Sequence, residues 1–552
     1  MTKPRRAGVV ARTVTAVHRR AFGLPAGGRP YTVERGLRVR MADGAELVTD
    51  VYAPAGEAHG TILIRSPYGR GLPESLFHGR AFADHGYQVI VQSVRGTGGS
   101  TGTFRPMTQE ASDAQDTVGW LREQSWFTGR LATLGGSYLG WTQWTLLRDP
   151  PPELLASVVV AGPHDFARAL RGTGSLALAD FLGWSAAIRA QGQGGLSEII
   201  AARRRVTAAL RERTPAAAAT AALGSEETWF AEWLAHPGLD DPFWTHYDAT
   251  PALTATRVPT LLIGGWHDVF LDQTLEQFQV LTDRGVDVAM TIGPWTHLDT
   301  TLKAARVADS EALSWLDQHL AAGPVREDPV RVHVTGADTW RPMPSWPPKT
   351  GEQSLGLHAD GKLIEEPRKA SGTVEFGYDP ADPTPSLGGR HMSAKAGRQD
   401  NRPLERRDDV ITFTTEPLTA PVHVFGSPHL DLQLTVATTA RPDLFVRLCD
   451  VDDRGRSRNV TETFVRLTTG SGRASLPLGA CAHEFRTGHR IRLQISGGAY
   501  PRFARNEAPC RYTVLCEDSR LTLPVEPSAV ITPRPQWTAG VRRRLRDHGL
   551  PT

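Results

Sequence analysis

The stretch Leu131-Ala-Thr-Leu-Gly-Gly-Ser-Tyr-Leu-Gly140 decides how the rest of the chain is interpreted. Mostly apolar residues suited to a buried strand run into two glycines and Ser137, and a helical pattern follows through Trp144. This succession predicts a tight strand-to-helix elbow with Ser137 at its tip. Glycines are expected beside the serine because a Cβ atom next to the tight turn would clash with the backbone. The spacing departs from Gly-x-Ser-x-Gly, because Leu139 stands where the last glycine would be. On this stretch alone, Ser137 is either a nucleophile or an ordinary turn serine.

Length and composition indicate a globular protein of roughly two or three domains, since 552 residues are too many for one core. The net charge of +3 is too small to indicate a nucleic-acid partner, and we expect the arginines near both ends to lie in solvated tails. Four cysteines are too few for a disulfide framework and lack metal-ligand spacing. We expect a cytoplasmic protein without a membrane span, because no apolar run reaches about 20 residues and no clear secretory signal is present.

The order of predicted elements divides the chain into five segments. Residues 1–30 form a basic N-terminal leader. Strands alternate with helices in residues 31–164 and again in 251–325, which predicts an α/β core with a mostly parallel sheet. Between them, residues 165–250 are rich in alanine and arginine with helical periodicity, which predicts a helical insertion over the sheet. Residues 326–552 carry short alternating runs separated by proline and glycine, typical of an all-β sandwich or jelly roll.

Two later strands end in loops that present the partners a nucleophilic serine needs. A serine hydroxyl is a poor nucleophile at neutral pH unless a histidine base and an orienting carboxylate assist it. The strand 259–263 leads into a glycine loop that carries Asp268, and the strand ending at Ile292 leads into a loop that carries His297. The order serine, acid, histidine is that of hydrolases built on such a sheet. We therefore predict a catalytic triad of Ser137, Asp268 and His297.

Each member of this triad also has a simpler interpretation. Asp268 could cap the helix that follows it, and His297 could be a loop histidine with no partner. His267 and Asp272 are rivals for the base and the acid. We prefer His297 because His267 is adjacent to Asp268, and neighbouring side chains usually diverge.

The oxyanion of a tetrahedral intermediate needs hydrogen-bond donors of its own. The geometry of an elbow makes the backbone N–H of Tyr138 one donor. A second is expected from the loop after an earlier strand, where Ser66-Pro-Tyr68 lies, and the Tyr68 hydroxyl could donate there. From the residues alone, Tyr68 could equally be a packing residue.

Four short motifs in the sequence contain these residues. They are Arg65-Ser-Pro-Tyr68, Gly135-Gly-Ser-Tyr-Leu-Gly-Trp-Thr-Gln-Trp144, Gly265-Trp-His-Asp-Val-Phe270 and Gly293-Pro-Trp-Thr-His297. Together they resemble the cocaine esterase and X-Pro dipeptidyl-peptidase family of serine hydrolases. The likeness covers nearly the whole chain, and it implies an α/β-hydrolase core with an inserted helical cap and a C-terminal β jelly-roll domain.

The resemblance also implies roles for individual residues. The implied site comprises the nucleophile Ser137, the acid Asp268, the base His297, and an oxyanion hole made by the Tyr68 hydroxyl and the Tyr138 amide. It further implies an acyl pocket between cap, sheet and jelly roll, with Phe270 as a substrate-binding residue. The chain departs from the family at His267, where a tyrosine is common, and the cap residues cannot be matched one by one.

We expect a serine hydrolase, either a carboxylesterase or an X-Pro dipeptidyl-peptidase-like enzyme, that works through an acyl-enzyme intermediate. The expected partner is a small-molecule ester or amide, or a short peptide. No metal, organic cofactor or nucleic acid is implied, and a homodimer is compatible with the sequence. Two alternatives stay open: an acyltransferase on the same triad, because an alcohol and water compete for the acyl-enzyme, and a non-catalytic binding protein on a hydrolase scaffold.

Two further segments, both containing several glycines, are predicted to be loops. The loop Arg95-Gly-Thr-Gly-Gly-Ser-Thr-Gly102 approximates a dinucleotide fingerprint, but its third glycine is one residue late and helical pattern resumes only near Gln109. We interpret it as a flexible loop near the active-site rim. The polar stretch 380–402, rich in proline and glycine, is predicted to be a long loop.

Overall fold

A computed structural model describes residues 5–6, 13–17, 20, 27–71, 74–193, 195–224, 228–365, 372–468 and 470–527 of the chain. Most of the predicted leader 1–30 and the arginines at 542–544 lie outside these residues. Within the described ranges, no helix combines the length and apolar character needed to cross a bilayer.

The central element is a sheet that has eleven strands in the part of the chain described. In chain order they are β1 Arg5–Arg6, β2 Tyr31–Arg40, β3 Glu46–Pro54, β4 Thr61–Ser66, β5 Gln88–Ser93, β6 Leu131–Gly136, β7 Leu154–Val160, β8 Thr260–His267, β9 Val288–Thr296, β10 Val330–Val334 and β11 Thr339–Met343. Across the sheet the order is β1-β2-β3-β5-β4-β6-β7-β8-β9-β10-β11. The strands from β5 to β10 in this order run parallel, and β1 to β3 and β11 are antiparallel additions at the edges.

Helices cover this sheet on both faces, which is why its middle strands are continuous apolar runs. Every residue of β4, β5 and β8 is buried. The helices are Ala81–Asp84, which continues a π-helical turn at Ser75–Arg80, then Glu110–Arg122, Tyr138–Leu146, Leu271–Asp283, Asp299–Leu302 and Ala305–Leu320. The predicted α/β fold is confirmed.

The predicted helical insertion is also confirmed, and it leaves the sheet after β7 and returns at β8. Its helices are Phe166–Arg171, Leu178–Gln193, Gly195–Ala209, Pro215–Leu223, Trp229–Ala235, the 3₁₀ helix Pro242–Tyr247 and Thr250–Ala255. Thr214 and Thr228 begin two of these helices by accepting the N–H of the third residue on. The insertion has an aromatic centre, where Trp233 lies 4.8 Å from Phe166 between ring centroids.

The C-terminal part is a β-rich domain of two further sheets. The first of these sheets contains β12 Gly351–Leu357, β13 Leu363–Glu365, β14 Thr373–Tyr378, β16 Val422–Gly426, β17 His429–Ala437, β20 Ser471–Pro477, β21 Cys481–Phe485 and β23 Cys510–Val525. The second contains β15 Val410–Thr414, β18 Asp443–Val451, β19 Ser457–Arg466 and β22 Arg490–Ser496. Leu430 and Leu521 of the first sheet share one buried core with Leu444 and Leu493 of the second. A short helix, Arg402–Glu405, precedes β15. The jelly-roll assignment stays a prediction.

Two strands of the first sheet fall within the segment predicted as the β-domain. The strand β10 pairs with β9, and β11 pairs with β10, so the first sheet extends to Met343. The predicted β-domain, 326–552, therefore includes two strands that belong to the first sheet. Composition could not reveal this, because a parallel edge strand and a sandwich strand carry the same short apolar alternation.

All four cysteines are buried and unpaired.

Candidate active site

The predicted elbow is present at the carboxyl end of β6. The strand ends at Gly136, the helix begins at Tyr138, and Ser137 between them has φ of 56° and ψ of −121°. This backbone conformation is strained for any residue with a Cβ atom. A Cβ atom on Gly140 would lie 2.6 Å from the Cα of Gly162, which follows β7. The close approach that requires a glycine thus falls at Gly140, which explains why the motif departs from Gly-x-Ser-x-Gly.

The loops after β8 and β9 bring Asp268 and His297 to this elbow. His297 Nε2 lies 2.9 Å from Ser137 Oγ, and His297 Nδ1 lies 2.7 Å from Asp268 Oδ2. A carboxylate can only accept, so Nδ1–H donates to Asp268 and Nε2 is left to accept from the Ser137 hydroxyl. Asp268 Oδ1 also accepts the N–H of Phe270 at 2.6 Å. This bond closes a turn before the helix Leu271–Asp283, which has no side-chain cap, so the structure places Asp268 beside His297 and not in the capping role.

The charges around His297 favour its protonated form. Burial by itself lowers the pKa of the imidazole, but the charge and hydrogen bond of Asp268, together with the charge of Asp180, raise it above its usual value. An imidazole of this kind is a stronger base toward the Ser137 proton than one in solution.

Tyr68 borders the same cavity from the loop after β4. Its hydroxyl accepts a hydrogen bond from Trp184 Nε1 at 3.2 Å, which leaves its own proton free to be donated. Burial raises the pKa of the Tyr68 hydroxyl, and hydrogen bonding to Trp184 and Ser137 opposes that rise. The hydroxyl is therefore protonated at neutral pH.

Tyr138 contributes differently through its backbone and its side chain. As the first residue of its helix, its N–H has no acceptor within the helix and lies next to Ser137. Its hydroxyl accepts the N–H of Met107 at 3.0 Å and donates to the carboxylate of Glu110. Glu110 in turn pairs with Arg65 at 3.3 Å in the buried layer under the elbow. This cluster ties β4, which precedes Tyr68, to the residue after Ser137, and the sequence does not predict it.

The remaining predicted residues lie apart from Ser137. Phe270 packs its ring edge-to-face on the His297 imidazole, with centroids 5.2 Å apart, and is not among the described residues that border the cavity. His267 is buried on the far side of the loop, where burial lowers its pKa to about 4. Asp272 is exposed and forms an ion pair with Arg390 at 2.6 Å. Neither rival reaches the nucleophile.

The triad opens into a cavity of about 650 Å³ between the sheet, the helical insertion and the 380–402 loop. Its wall is mainly apolar, which suits an acyl group. Three of its residues, Asp180, Trp184 and Met392, lie in segments where the sequence predicts no individual site residue. Within the described residues, no group of three or more His, Cys, Asp and Glu side chains could hold a metal ion.

The loop 95–102 takes no part in this cavity. Arg95 pairs with Asp43 and with Asp113, each at 2.6 Å, and these bonds anchor the loop to the turn between β2 and β3 and to the helix that follows. That helix begins only at Glu110. A dinucleotide fingerprint needs the helix to begin directly after the glycines, so this geometry does not support one.

Comparison with known proteins agrees with this architecture. Residues 43–299 match the family model of the X-Pro dipeptidyl-peptidase (S15 family), and residues 323–536 match the X-Pro dipeptidyl-peptidase C-terminal non-catalytic domain. Cocaine esterase from Rhodococcus sp. (strain MB1 Bresler) is 30% identical over 541 residues, which cover 86% of this chain and 92% of that protein.

Two solved structures share the fold. An aminopeptidase from the marine sediment archaeon Thaumarchaeota archaeon aligns with a TM-score of 0.78 and 23% identity, over 90% of this chain and 97% of that chain. An α-amino acid ester hydrolase aligns with a TM-score of 0.76 and 23% identity over the same shares. The resemblance stated from the motifs is confirmed, and the chain belongs to the CocE/NonD and X-Pro dipeptidyl-peptidase (S15) family of hydrolases.

Proposed function

We propose that this protein is a serine esterase that transfers the acyl group of its substrate to water through Ser137, His297 and Asp268. The observation that carries the proposal is the continuous chain of hydrogen bonds from Ser137 Oγ through His297 to Asp268, at the wall of a largely apolar cavity. An ester is favoured over an amide because the relative that is 30% identical over most of the chain is an esterase by name.

In the acylation half of the cycle, Ser137 Oγ attacks the substrate carbonyl while its proton passes to His297 Nε2. The imidazolium that forms is held by Asp268 through Nδ1–H, so the proton stays on Nε2 until the leaving group needs it. The Tyr68 hydroxyl and the Tyr138 N–H donate to the developing oxyanion. When the tetrahedral intermediate collapses, the bond to the leaving oxygen breaks and that oxygen takes the proton from His297.

The second half of the cycle repeats these steps with water. His297 Nε2 takes a proton from a water molecule, whose oxygen attacks the acyl carbon of the Ser137 ester. Collapse of the second intermediate returns the proton to Ser137 Oγ and releases the acid. An alcohol or amine in the cavity would yield a transacylated product by the same route, and product analysis with an added alcohol separates the two outcomes.

The first test compares hydrolysis of p-nitrophenyl butyrate by the wild type and by Ser137→Ala. We expect the variant to lose nearly all activity, and a fluorophosphonate probe to label the wild type once per chain. Equal product release by both proteins would remove Ser137 from the mechanism. A non-catalytic scaffold predicts neither turnover nor labelling. A panel of aryl esters, amino esters and X-Pro amides then separates a carboxylesterase from an X-Pro dipeptidyl-peptidase-like enzyme.

A further inference from the structure

The cavity that holds Ser137 and His297 is also bordered by a buried carboxylate, Asp180, that the mechanism above does not use. Asp180 lies in the first turn of the helix Leu178–Gln193 of the insertion and is 4% exposed. Its Oδ1 accepts the N–H of Met392 at 2.7 Å, whereas its Oδ2 has no hydrogen-bond partner in the described protein. A buried carboxylate oxygen without a partner is costly, so a compensating interaction is expected when charge develops nearby.

Charged groups from three parts of the protein face Asp180. They are Arg502 from the C-terminal domain, His297 from the loop after β9 and Asp268 from the loop after β8. Burial raises the pKa of Asp180 to about 6, while Arg502, the Met392 N–H and His297 oppose that rise. The relation is mutual, because the charge of Asp180 helps to raise the pKa of His297. The groups therefore titrate as a coupled set, with Asp180 mainly ionised at neutral pH.

We propose that Asp180 is a positioning residue of the reaction, whose carboxylate acts through His297 and stabilises the imidazolium that forms when His297 takes the proton of Ser137. The inference rests on the proposed function. The imidazolium then lies between two carboxylates: Asp268 holds Nδ1–H, and Asp180 supplies a fixed negative charge from the wall of the cavity. Because Asp180 is buried, its charge is screened less than a charge in solvent. Met392 keeps the carboxylate in place, so the insertion and the 380–402 loop together set the strength of the base.

The test is the pH dependence of kcat/KM for p-nitrophenyl butyrate between about pH 4.5 and 8.5 in the wild type and in Asp180→Asn. Asn keeps the oxygen that accepts from Met392 but carries no charge. We expect the acid limb of Asp180→Asn to move to lower pH, and the plateau value of kcat to fall by about tenfold. If Asp180 had only a structural role, its substitution would lower the plateau of the pH profile without moving the acid limb. Asp180→Glu, which restores the charge, is expected to bring the limb back toward that of the wild type.

The matched control is Asp309→Asn. Asp309 is also buried at this cavity and also has an unpartnered Oδ2, but His78 faces it instead of His297. Its acid limb is expected to coincide with that of the wild type. Thermal melting and labelling with the fluorophosphonate probe establish that each variant is folded. If Asp180→Asn does not fold, Asp180→Ser removes the charge in the same way.

A limb that stays in place in the folded Asp180 variants, or that moves equally in Asp309→Asn, overturns the inference. In both cases the proposed function is still supported if Ser137→Ala is inactive. An active Ser137→Ala would instead remove the proposed function itself, wherever the limb lies.

Discussion

Trp184 donates a hydrogen bond from Nε1 to the Tyr68 hydroxyl, 3.2 Å away, so a residue of the helical insertion orients a residue that follows a strand of the central sheet. The same indole stacks on the Tyr138 ring, with centroids 6.0 Å apart and planes 13° apart. One side chain therefore contacts both residues that are proposed to form the oxyanion hole. The insertion is part of the site as well as a cover over it.

Replacing Tyr68 by phenylalanine removes the hydroxyl that is proposed to donate to the oxyanion and keeps the ring. We expect kcat to fall by about 10- to 1000-fold with little change in KM, because the lost bond forms only in the transition state. Steady-state kinetics on p-nitrophenyl butyrate measure this. An unchanged kcat would take Tyr68 out of the oxyanion hole.

Trp184→Phe tests how much the orientation of the Tyr68 hydroxyl matters when the hydroxyl itself is kept. The ring can still stack on Tyr138, but the N–H that fixes the Tyr68 hydroxyl is lost. We expect kcat to fall by about 3- to 10-fold, less than in Tyr68→Phe, because one neutral hydrogen bond is removed and the donor itself remains. The double variant is the control: once Tyr68 is phenylalanine, Trp184→Phe should have little further effect, and fully additive losses would contradict the coupling.

Ser137→Gly tests the strain at the elbow. A φ of 56° with ψ of −121° suits glycine and disfavours serine, so the variant should be more stable than the wild type by about 1 kcal/mol while it loses its activity. Ser137→Ala, which keeps the Cβ atom, should lose activity without that gain. Thermal melting of the three proteins under one set of conditions measures the difference. Equal stability of the glycine and alanine variants would mean that the elbow stores no strain.

Asp309 makes the stability of the protein depend on pH. Burial raises its pKa to about 7, whereas an aspartate of the unfolded chain titrates near 4, so the folded state binds this proton more tightly. This tighter binding of the proton stabilises the folded state fully below about pH 4, and the stabilisation is lost as the pH rises through about 7. Asp309→Asn should therefore be more stable than the wild type at pH 8, on the order of 2–3 kcal/mol, and gain much less at pH 4. Asp453→Asn, at an exposed position in the turn after β18, is the control and should change the stability by less than about 0.5 kcal/mol at either pH.

Glu462 joins the 380–402 loop to the C-terminal sheets. Its carboxylate pairs with Arg447 at 2.6 Å and with Arg502, and it accepts the N–H of Arg390. Glu462→Ala leaves buried guanidinium groups unpaired, so we expect a loss of about 3–5 kcal/mol in the free energy of unfolding, measured by denaturant titration. Glu153→Ala breaks an ion pair with the half-exposed Arg122 and should cost less than about 1 kcal/mol. Losses of similar size in both variants would contradict this difference.

The parts of the fold that the sequence predicts are those set by local signals. The elbow around Ser137 needs two glycines and an apolar strand, and each of the loops with Asp268 and His297 follows such a strand directly. Because parallel strands end at one edge of a sheet, these local patterns were enough to predict which side chains meet.

The parts that the sequence does not predict depend on contacts between distant segments. Asp180 and Met392 are 212 residues apart and meet only because the insertion and the long loop close over one cavity. Nothing in the residues around either position marks that contact. Phe270 was assigned to the pocket by resemblance alone, and the structure places its ring on His297, where it supports the base.

The insertion leaves the sheet after β7 and rejoins it at β8, and these two strands are paired neighbours. Helices can therefore be lengthened, shortened or exchanged at this point without altering the spacing between the elbow and the acid loop. Remodelling this single excursion of the backbone would change the residues that line the cavity while the adjacent strands β6, β7 and β8, which carry the elbow and the acid loop, stay paired.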